Sequence, residues 1–386
     1  MKRRFRLKLL PKIIIAIILG IALGNLLPTA LVRLFVTFNS LFSEFLNFSI
    51  PLIIAGLVTV AIASIGNRAG RMLLITVLIA YGATIFSGFL SYFTGATLFP
   101  GLIESGTALS SVAEAAGVEP YFSISIPPLM SVMTALVLAF VVGLGLTRLK
   151  SNALRRAADD FHDIVLMTIT AVIIPLLPLY IFGIFLGMAH TGQVYAVLLA
   201  FIKIIGIIFG LHIVLLILQY CIAGLIVGRN PLRLLWHMLP AYFTALGTSS
   251  SAATIPVTME QTIGNGVSPQ VAGFVIPLCA TIHLSGSTLK IVACALALMI
   301  MQGMPYDLPM FAGFILMLGI TMVAAPGVPG GAIMAALGVL QSMLGFDESA
   351  QALMIALYIA MDSFGTACNV TGDGAIALII NRLKRE

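Results

Sequence analysis

Two aspartates, Asp362 and Asp373, stand in a stretch otherwise apolar enough to cross a bilayer, QALMIALYIAMDSFGTACNVTGDGAIALII. A charge at membrane depth is expensive and is kept where it meets a ligand, an ion or a partner charge. Asp362, Thr366, Asn369 and Asp373 fall at i, i+4, i+7 and i+11. At about 100° per residue they share a stripe roughly 60° wide on one helix face. An apolar helix with one polar stripe faces a substrate, an ion or another polar helix, and the pattern predicts that helix over about 352–380. Upstream lie three other polar intrusions into apolar chain: Ser249, Ser250 and Ser251; Thr281, His283, Ser285, Ser287, Thr288 and then Lys290; and the proline-glycine run VAAPGVPGGAIM.

The elements that must position these residues are membrane helices. The chain has 386 residues, is 60% hydrophobic and 9% charged, and has a mean hydropathy of +1.13. That is too little charge for a dispersed soluble protein of this size, and several runs approach the ~20 apolar residues that span a bilayer. The net charge of +6 does not signal nucleic acid. All basic residues except Arg33, Lys203 and Lys290 lie at the two ends or in three short loops, around 68–71, 148–156 and 229–233. This is the positive-inside pattern, and it places both termini in the cytoplasm of a multi-pass cell-membrane protein. Glu104, Glu114 and Glu119, then Asp347 and Glu348, mark opposite-side loops. The four cysteines lie in apolar segments and read as small buried hydrophobes. The basic start followed by IIIAIILGIALG has the look of a signal peptide, but no small-x-small cleavage site follows, so it reads as an uncleaved first span.

Spans are expected at about 11–31, 40–65, 72–98, 122–147, 161–188 and 194–227. Regularity then fails. Residues 232–262 contain GTSSSAAT followed by Pro256, and residues 308–345 contain VAAPGVPGGAIM, with Pro326, Pro329, Gly327, Gly330 and Gly331. Each reads as two short helices meeting at a non-helical tip, which is tolerated at membrane depth only inside protein or beside water. Span 7, about 269–302, lies between them, and span 8 follows the second. Two hairpin-plus-span units entering from opposite sides form an inverted repeat, an architecture of secondary transporters with the site at the broken helices. The expected fold class is therefore an all-α polytopic membrane protein with eight transmembrane helices and two re-entrant hairpins.

The motifs SSSAATIPVTM at Ser249–Met259, PGVPG at Pro326–Gly330 and DSFGTACNVTGD at Asp362–Asp373 make the carboxyl half, about 240–382, resemble the dicarboxylate/amino acid:cation symporters. That family is built from inverted repeats. The resemblance implies a homotrimer in which spans 1, 2, 4 and 5 (1–71 and 121–190) form a scaffold. Residues 72–98 and 194–386 would then move across the bilayer as a transport domain, in an elevator mechanism. It implies a substrate between the hairpin tips, touched by Ser249, Ser250, Ser251, Val328, Gly330, Asp362, Gly365, Thr366 and Asn369. Asp362 would hold the amino group and Asn369 would face the carboxylate. It implies cation sites at Tyr81, Thr84, Cys279, Thr281, Ser285, Asn369 and Asp373, with Asp373 and Asn369 as sodium ligands and no other cofactor.

Departures from the family pattern are informative. Gly365 stands where members that carry acidic substrates have an arginine, and Thr248 stands at the alternative arginine position. Without either, a side-chain carboxylate lacks a bidentate donor, which favours a small neutral amino acid over aspartate, glutamate or a dicarboxylate. Lys290 can replace that charge if it faces the site. Where the family reads Asn-Met-Asp-Gly-Thr, this chain reads His283-Leu284-Ser285-Gly286-Ser287, and Ile85 follows Thr84 where a hydroxyl is usual. One sodium site is therefore expected to be impaired, leaving His283 and Lys290 as candidates for proton coupling or, alternatively, as interhelical contacts.

An intramembrane aspartyl protease is a poor fit. Its carboxyls must share a proton at contact distance, whereas eleven residues along one helix are about 16 Å, and Val370 replaces the first glycine of the Gly-x-Gly-Asp signature. Leu284-Ser285-Gly286 likewise lacks the preceding glycine of a membrane serine protease. The two gated hairpins favour alternating access over an ion channel.

Overall fold

The computed structural model describes residues 9–66, 71–103, 118–149, 152–190, 192, 194–325 and 329–384, and among these it is helical with no strand. The helices are α1 (Leu9–Gly24), α2 (Thr29–Gly66), α3 (Arg71–Leu98) and α4 (Val132–Leu146). A π turn at Ile169–Ile173 joins α5 (Ala153–Thr168) to α6 (Ile174–His190), just before Pro175, whose nitrogen has no hydrogen to donate. Then come α7 (Val194–Val227), α8 (Pro231–His237), α9 (Leu239–Thr248), α10 (Ser251–Gly264), α11 (Pro269–Ile282) and α12 (Ser285–Gln302). The last four are α13 (Leu308–Val323), α14 (Gly331–Leu344), α15 (Glu348–Ala360) and α16 (Asp362–Leu383).

Spans 3 and 6 and both hairpins lie where expected. Other boundaries shift. Span 1 ends at Gly24 rather than near 31, because the residue before Pro28 is pushed out of helical geometry. The next helix then starts at Thr29 rather than 40 and runs 38 residues, about 57 Å. Span 4 begins at Val132 rather than 122. Pro120, Pro127 and Pro128 keep the preceding segment non-helical, and it lies along α2 through Tyr121 N–H to Thr37 Oγ1 (2.9 Å) and Ile126 N–H to Glu44 Oε2 (2.7 Å). Span 5 is longer than expected, a near-continuous run from Ala153 to His190. The helix expected over 352–380 is two helices, broken at Met361. Six helices among the described residues are long and apolar enough to cross a membrane, counting α5 with α6 as one and α11 with α12 as one; α1, α4, α13, α14 and α15 are shorter.

Burial separates the helices by role. Every residue of α12 from Ser285 to Met301 is buried, and α16 is nearly so. A helix enclosed all round sits in the core of the bundle. Leu225, Trp236 and Ile202 on α7 and α8 point outward, as a lipid-facing surface requires. α1 packs along α6 and α2 along α4, while α3 packs along α12, and α7, α9, α10, α11 and α12 all touch α16. Arg33 lies over the Tyr121 ring, and Lys203 Nζ donates to the Leu102 carbonyl; the four cysteines are free, with Cys279, Cys294 and Cys368 buried and Cys221 partly exposed.

Close approach of α1 to α6 depends on Gly20 and Gly24, a small-xxx-small pair. A Cβ at Gly24 would lie 2.4 Å from Ala189 Cβ and 2.9 Å from the Leu186 carbonyl oxygen. Gly24→Val is expected to destabilise the protein by about 1–3 kcal/mol through forced separation, read as a lower thermal midpoint in detergent; an unchanged midpoint contradicts the packing.

Candidate substrate and cation site

Four interrupted helices face one another. In hairpin 1, Ser249 ends α9 in the left-handed region (φ 53°), and the Ser250 side chain caps α10 by accepting from Ala253 N–H. In hairpin 2, Gly330 (φ 77°) precedes α14. Its neighbour Val328 lies outside the described residues. The third break is His283–Leu284, between α11 and α12, and the fourth is Met361. Between them is a cavity of about 30 Å³ lined by Ser249, Ser251, Thr281, Ser287, Tyr358, Asp362, Thr366 and Asn369, among others. A space of that size admits roughly two waters. Ser249 and Asp362 also border a larger cavity of about 370 Å³, which reaches Leu9 and Pro11 at the start of α1 and Pro329 in hairpin 2.

Asp362 is the meeting point. Its Oδ1 accepts from Lys290 Nζ at 3.0 Å, and its Oδ2 accepts from the Gly330 backbone N–H at 3.0 Å. Lys290 is wholly buried. Its ammonium also reaches the Met361 and Tyr358 carbonyls (3.4 and 3.5 Å), and it lies 3.4 Å from the centroid of the Tyr358 ring. Those carbonyls close α15, where a cation is favoured. A buried pair of this kind is costly to break, about 3–5 kcal/mol when one partner is removed. Gly365 makes room for it: a Cβ there would stand 2.8 Å from Lys290 Nζ. Lys290 does not line either cavity, so its charge is committed to Asp362 and the end of α15.

Asp373 belongs to a second cluster one helical stretch away. Its Oδ1 is 2.8 Å from His283 Nδ1, and both residues are buried. With the carboxylate ionised, Nδ1 carries the hydrogen, and a neutral ring presents Nε2 as a bare acceptor. His283 Nε2 and Gln219 Oε1 both lack a partner among the described residues. They border the same spot, since a Cβ on Gly372 would lie 2.7 Å from His283 Cε1 and 2.6 Å from Gln219 Oε1. Gln219 Nε2 donates to Ser285 Oγ (3.2 Å), and Ser87 Oγ donates to the Ser285 carbonyl (2.8 Å).

Asn369 joins the two clusters. Its Oδ1 accepts from the Gly286 and Ser287 N–H groups (2.7 and 3.3 Å), capping the first turn of α12, which has no cap of its own. Its Nδ2 donates to Ser287 Oγ, which also accepts from the Tyr358 hydroxyl at 3.1 Å. Ser249 and Ser363 hydroxyls share a 2.8 Å bond that ties hairpin 1 to α16.

The remaining sequence candidates fall outside these clusters. Ser250 caps a helix and does not line the cavity. Thr366 and Thr281 line it, with their hydroxyls donated to the Asp362 and Leu278 carbonyls. The Cys279 carbonyl accepts the His283 N–H. Tyr81 and Thr84 donate to the Leu316 and Ala80 carbonyls. Ile85 packs where α3 meets Gly319, with an apolar side chain at a position where a hydroxyl is usual. Ser87, Gln219 and Tyr358 were not singled out by motif. Gln219 did carry a signal, as a lone amide in the apolar run VLLILQYCIAGL.

A family model described as the sodium:dicarboxylate symporter family matches residues 9–383. The chain is 29% identical over 399 residues to a serine/threonine transporter, SstT, of Acinetobacter baumannii, covering 99% of this chain and 98% of that one. It is 32% identical over 268 residues to excitatory amino acid transporter 1 of Rattus norvegicus, and 26% over 274 residues to neutral amino acid transporter B(0) of the same organism. Each of those two alignments covers 66% of this chain and 47% of the rat protein. Helical architecture, opposed broken hairpins and a match over nearly the whole length agree, and the chain belongs to the sodium:dicarboxylate symporter family.

Proposed function

We propose that the protein carries small neutral amino acids, serine among them, across the cell membrane together with a cation. The observation that carries this reading is the commitment of Lys290. The cavity between the hairpins contains a carboxylate, Asp362, and hydroxyls, but among the described residues no basic side chain lines it. An amino acid's ammonium fits Asp362, and its carboxylate fits the hairpin tips, where the first turns of α10 and α14 present backbone N–H groups. A second carboxylate on the substrate has no partner. The serine/threonine transporter named above is a relative consistent with that selectivity.

Movement by an elevator, and assembly as a trimer, suit the packing. Helices α1, α2, α4, α5 and α6 associate mainly with one another, and α3, α7, α9, α10, α11, α12 and α15 pack against α16. The positive-inside rule puts the start of α1 in the cytoplasm. The 370 Å³ cavity beside Leu9 therefore faces inward, and the conformation reads as inward-facing.

The coupling cation is assigned to the His283–Asp373 cluster. A sodium ion prefers oxygen ligands, and here an imidazole engages the carboxylate and two acceptors await a hydrogen. That arrangement favours a proton. In proteoliposomes, labelled serine uptake is expected to follow an inward proton gradient and to exceed aspartate uptake. His283→Asn is expected to remove the pH drive. Aspartate uptake driven by sodium alone overturns both assignments.

Selectivity provides another test. Gly365→Arg alone is expected to lose serine uptake by about 10²-fold, because its side chain must enter the space of Lys290 and break a buried pair. Gly365→Arg combined with Lys290→Ala is expected to regain transport with the preference shifted toward aspartate. Aspartate uptake by the single variant contradicts the steric account.

A further inference from the structure

We infer that Lys290 is a built-in counter-cation for the substrate-free carrier, one that neutralises Asp362 so that hairpin 2 closes and the site returns empty, which makes transport net uptake rather than obligatory exchange; this rests on the symport proposed above.

The two oxygens of Asp362 are already allotted. Lys290 holds one, and the other holds the Gly330 N–H at the tip of hairpin 2. The tip is therefore drawn onto Asp362 by contacts internal to the protein. The ammonium has a fitted cage made by the Met361 and Tyr358 carbonyls, the Tyr358 ring and the bare face of Gly365. Lys290 does not line the cavity, whereas Asp362 and Thr366 do. A substrate ammonium thus approaches the carboxylate from the cavity side without needing the place that Lys290 holds.

A carrier that alternates between two sides crosses the membrane twice in each cycle, once loaded and once empty. On the loaded leg the substrate's ammonium joins Lys290 in compensating Asp362, so the role of Lys290 is decisive on the empty leg. On the empty leg a bare carboxylate would cross, with the expense that makes isolated intramembrane charges rare. A transporter without an internal cation must then wait for another substrate and exchange. Lys290 removes that requirement with no second ion taken from solution. Its role is exerted through Asp362, so it is a positioning residue for the gate.

The test compares two fluxes in the same proteoliposomes. Net uptake of labelled serine is measured into vesicles without internal serine, and counterflow into vesicles preloaded with unlabelled serine. Their ratio does not depend on how much of a variant is folded. In Lys290→Met the ratio of net uptake to counterflow is expected to fall about tenfold or more, and in Lys290→Arg, which keeps the charge, to stay within about threefold of wild type. Lys290→Gln, which keeps a donor for the Met361 carbonyl without the charge, is expected to behave as Lys290→Met and serves if that variant does not fold. An unchanged ratio in both neutral variants overturns the inference and leaves the symport reading intact. Absence of both fluxes in the wild-type protein overturns the symport reading and this inference with it.

Discussion

A carboxylate held away from water at membrane depth must be compensated at every moment, and the Asp362–Lys290 contact is how this chain meets that demand. Much of the site follows from it. Gly365 is bare because the ammonium lies over it. Met361 interrupts the last helix where the same ammonium reaches the Tyr358 and Met361 carbonyls, which also accept backbone N–H groups. Hairpin 2 rests its Gly330 N–H on the second carboxylate oxygen. Charge, steric room and gate position are thereby linked through one side chain.

Broken helices create backbone groups that must find partners in a medium without water. The structure satisfies them both within elements and across them. Asn369 on α16 caps α12, Ser250 caps its own α10, and Lys290 on α12 closes α15. These long-range caps bind hairpin tips and interrupted spans into one polar centre inside an otherwise apolar bundle. They also explain how a site this polar persists: an uncapped buried N–H or carbonyl costs about 1–3 kcal/mol.

What was legible in the sequence follows from periodicity and backbone chemistry. The Asp362–Asp373 stripe was readable because 3.6-residue spacing survives local irregularity, and all four of its residues do share α16. The hairpins were readable because serine runs and proline-glycine clusters cannot continue a lipid-facing helix. The break at Met361 was not, since neither Ala360 nor Met361 is a helix breaker and the stabilising group is 71 residues distant. The start of span 4 was misplaced because an apolar run outweighed Pro127 and Pro128, whose backbone restriction kept the segment extended. The partners of His283 and Lys290 depend on which helices meet, which no local pattern encodes; the pairing of His283 with Asp373 bridges 90 residues. Val328, expected at the gate, lies outside the described residues.

The central claim is that Asp362 serves the substrate's ammonium from the cavity while Lys290 remains on its other side. The most direct measurement is an experimental structure of the protein in lipid nanodiscs with serine bound. The account predicts serine's ammonium within hydrogen-bond distance of Asp362, with the Lys290 contact retained and no basic side chain on serine's hydroxyl. Lys290 turned into the cavity onto the serine carboxylate, with the ammonium away from Asp362, would contradict it.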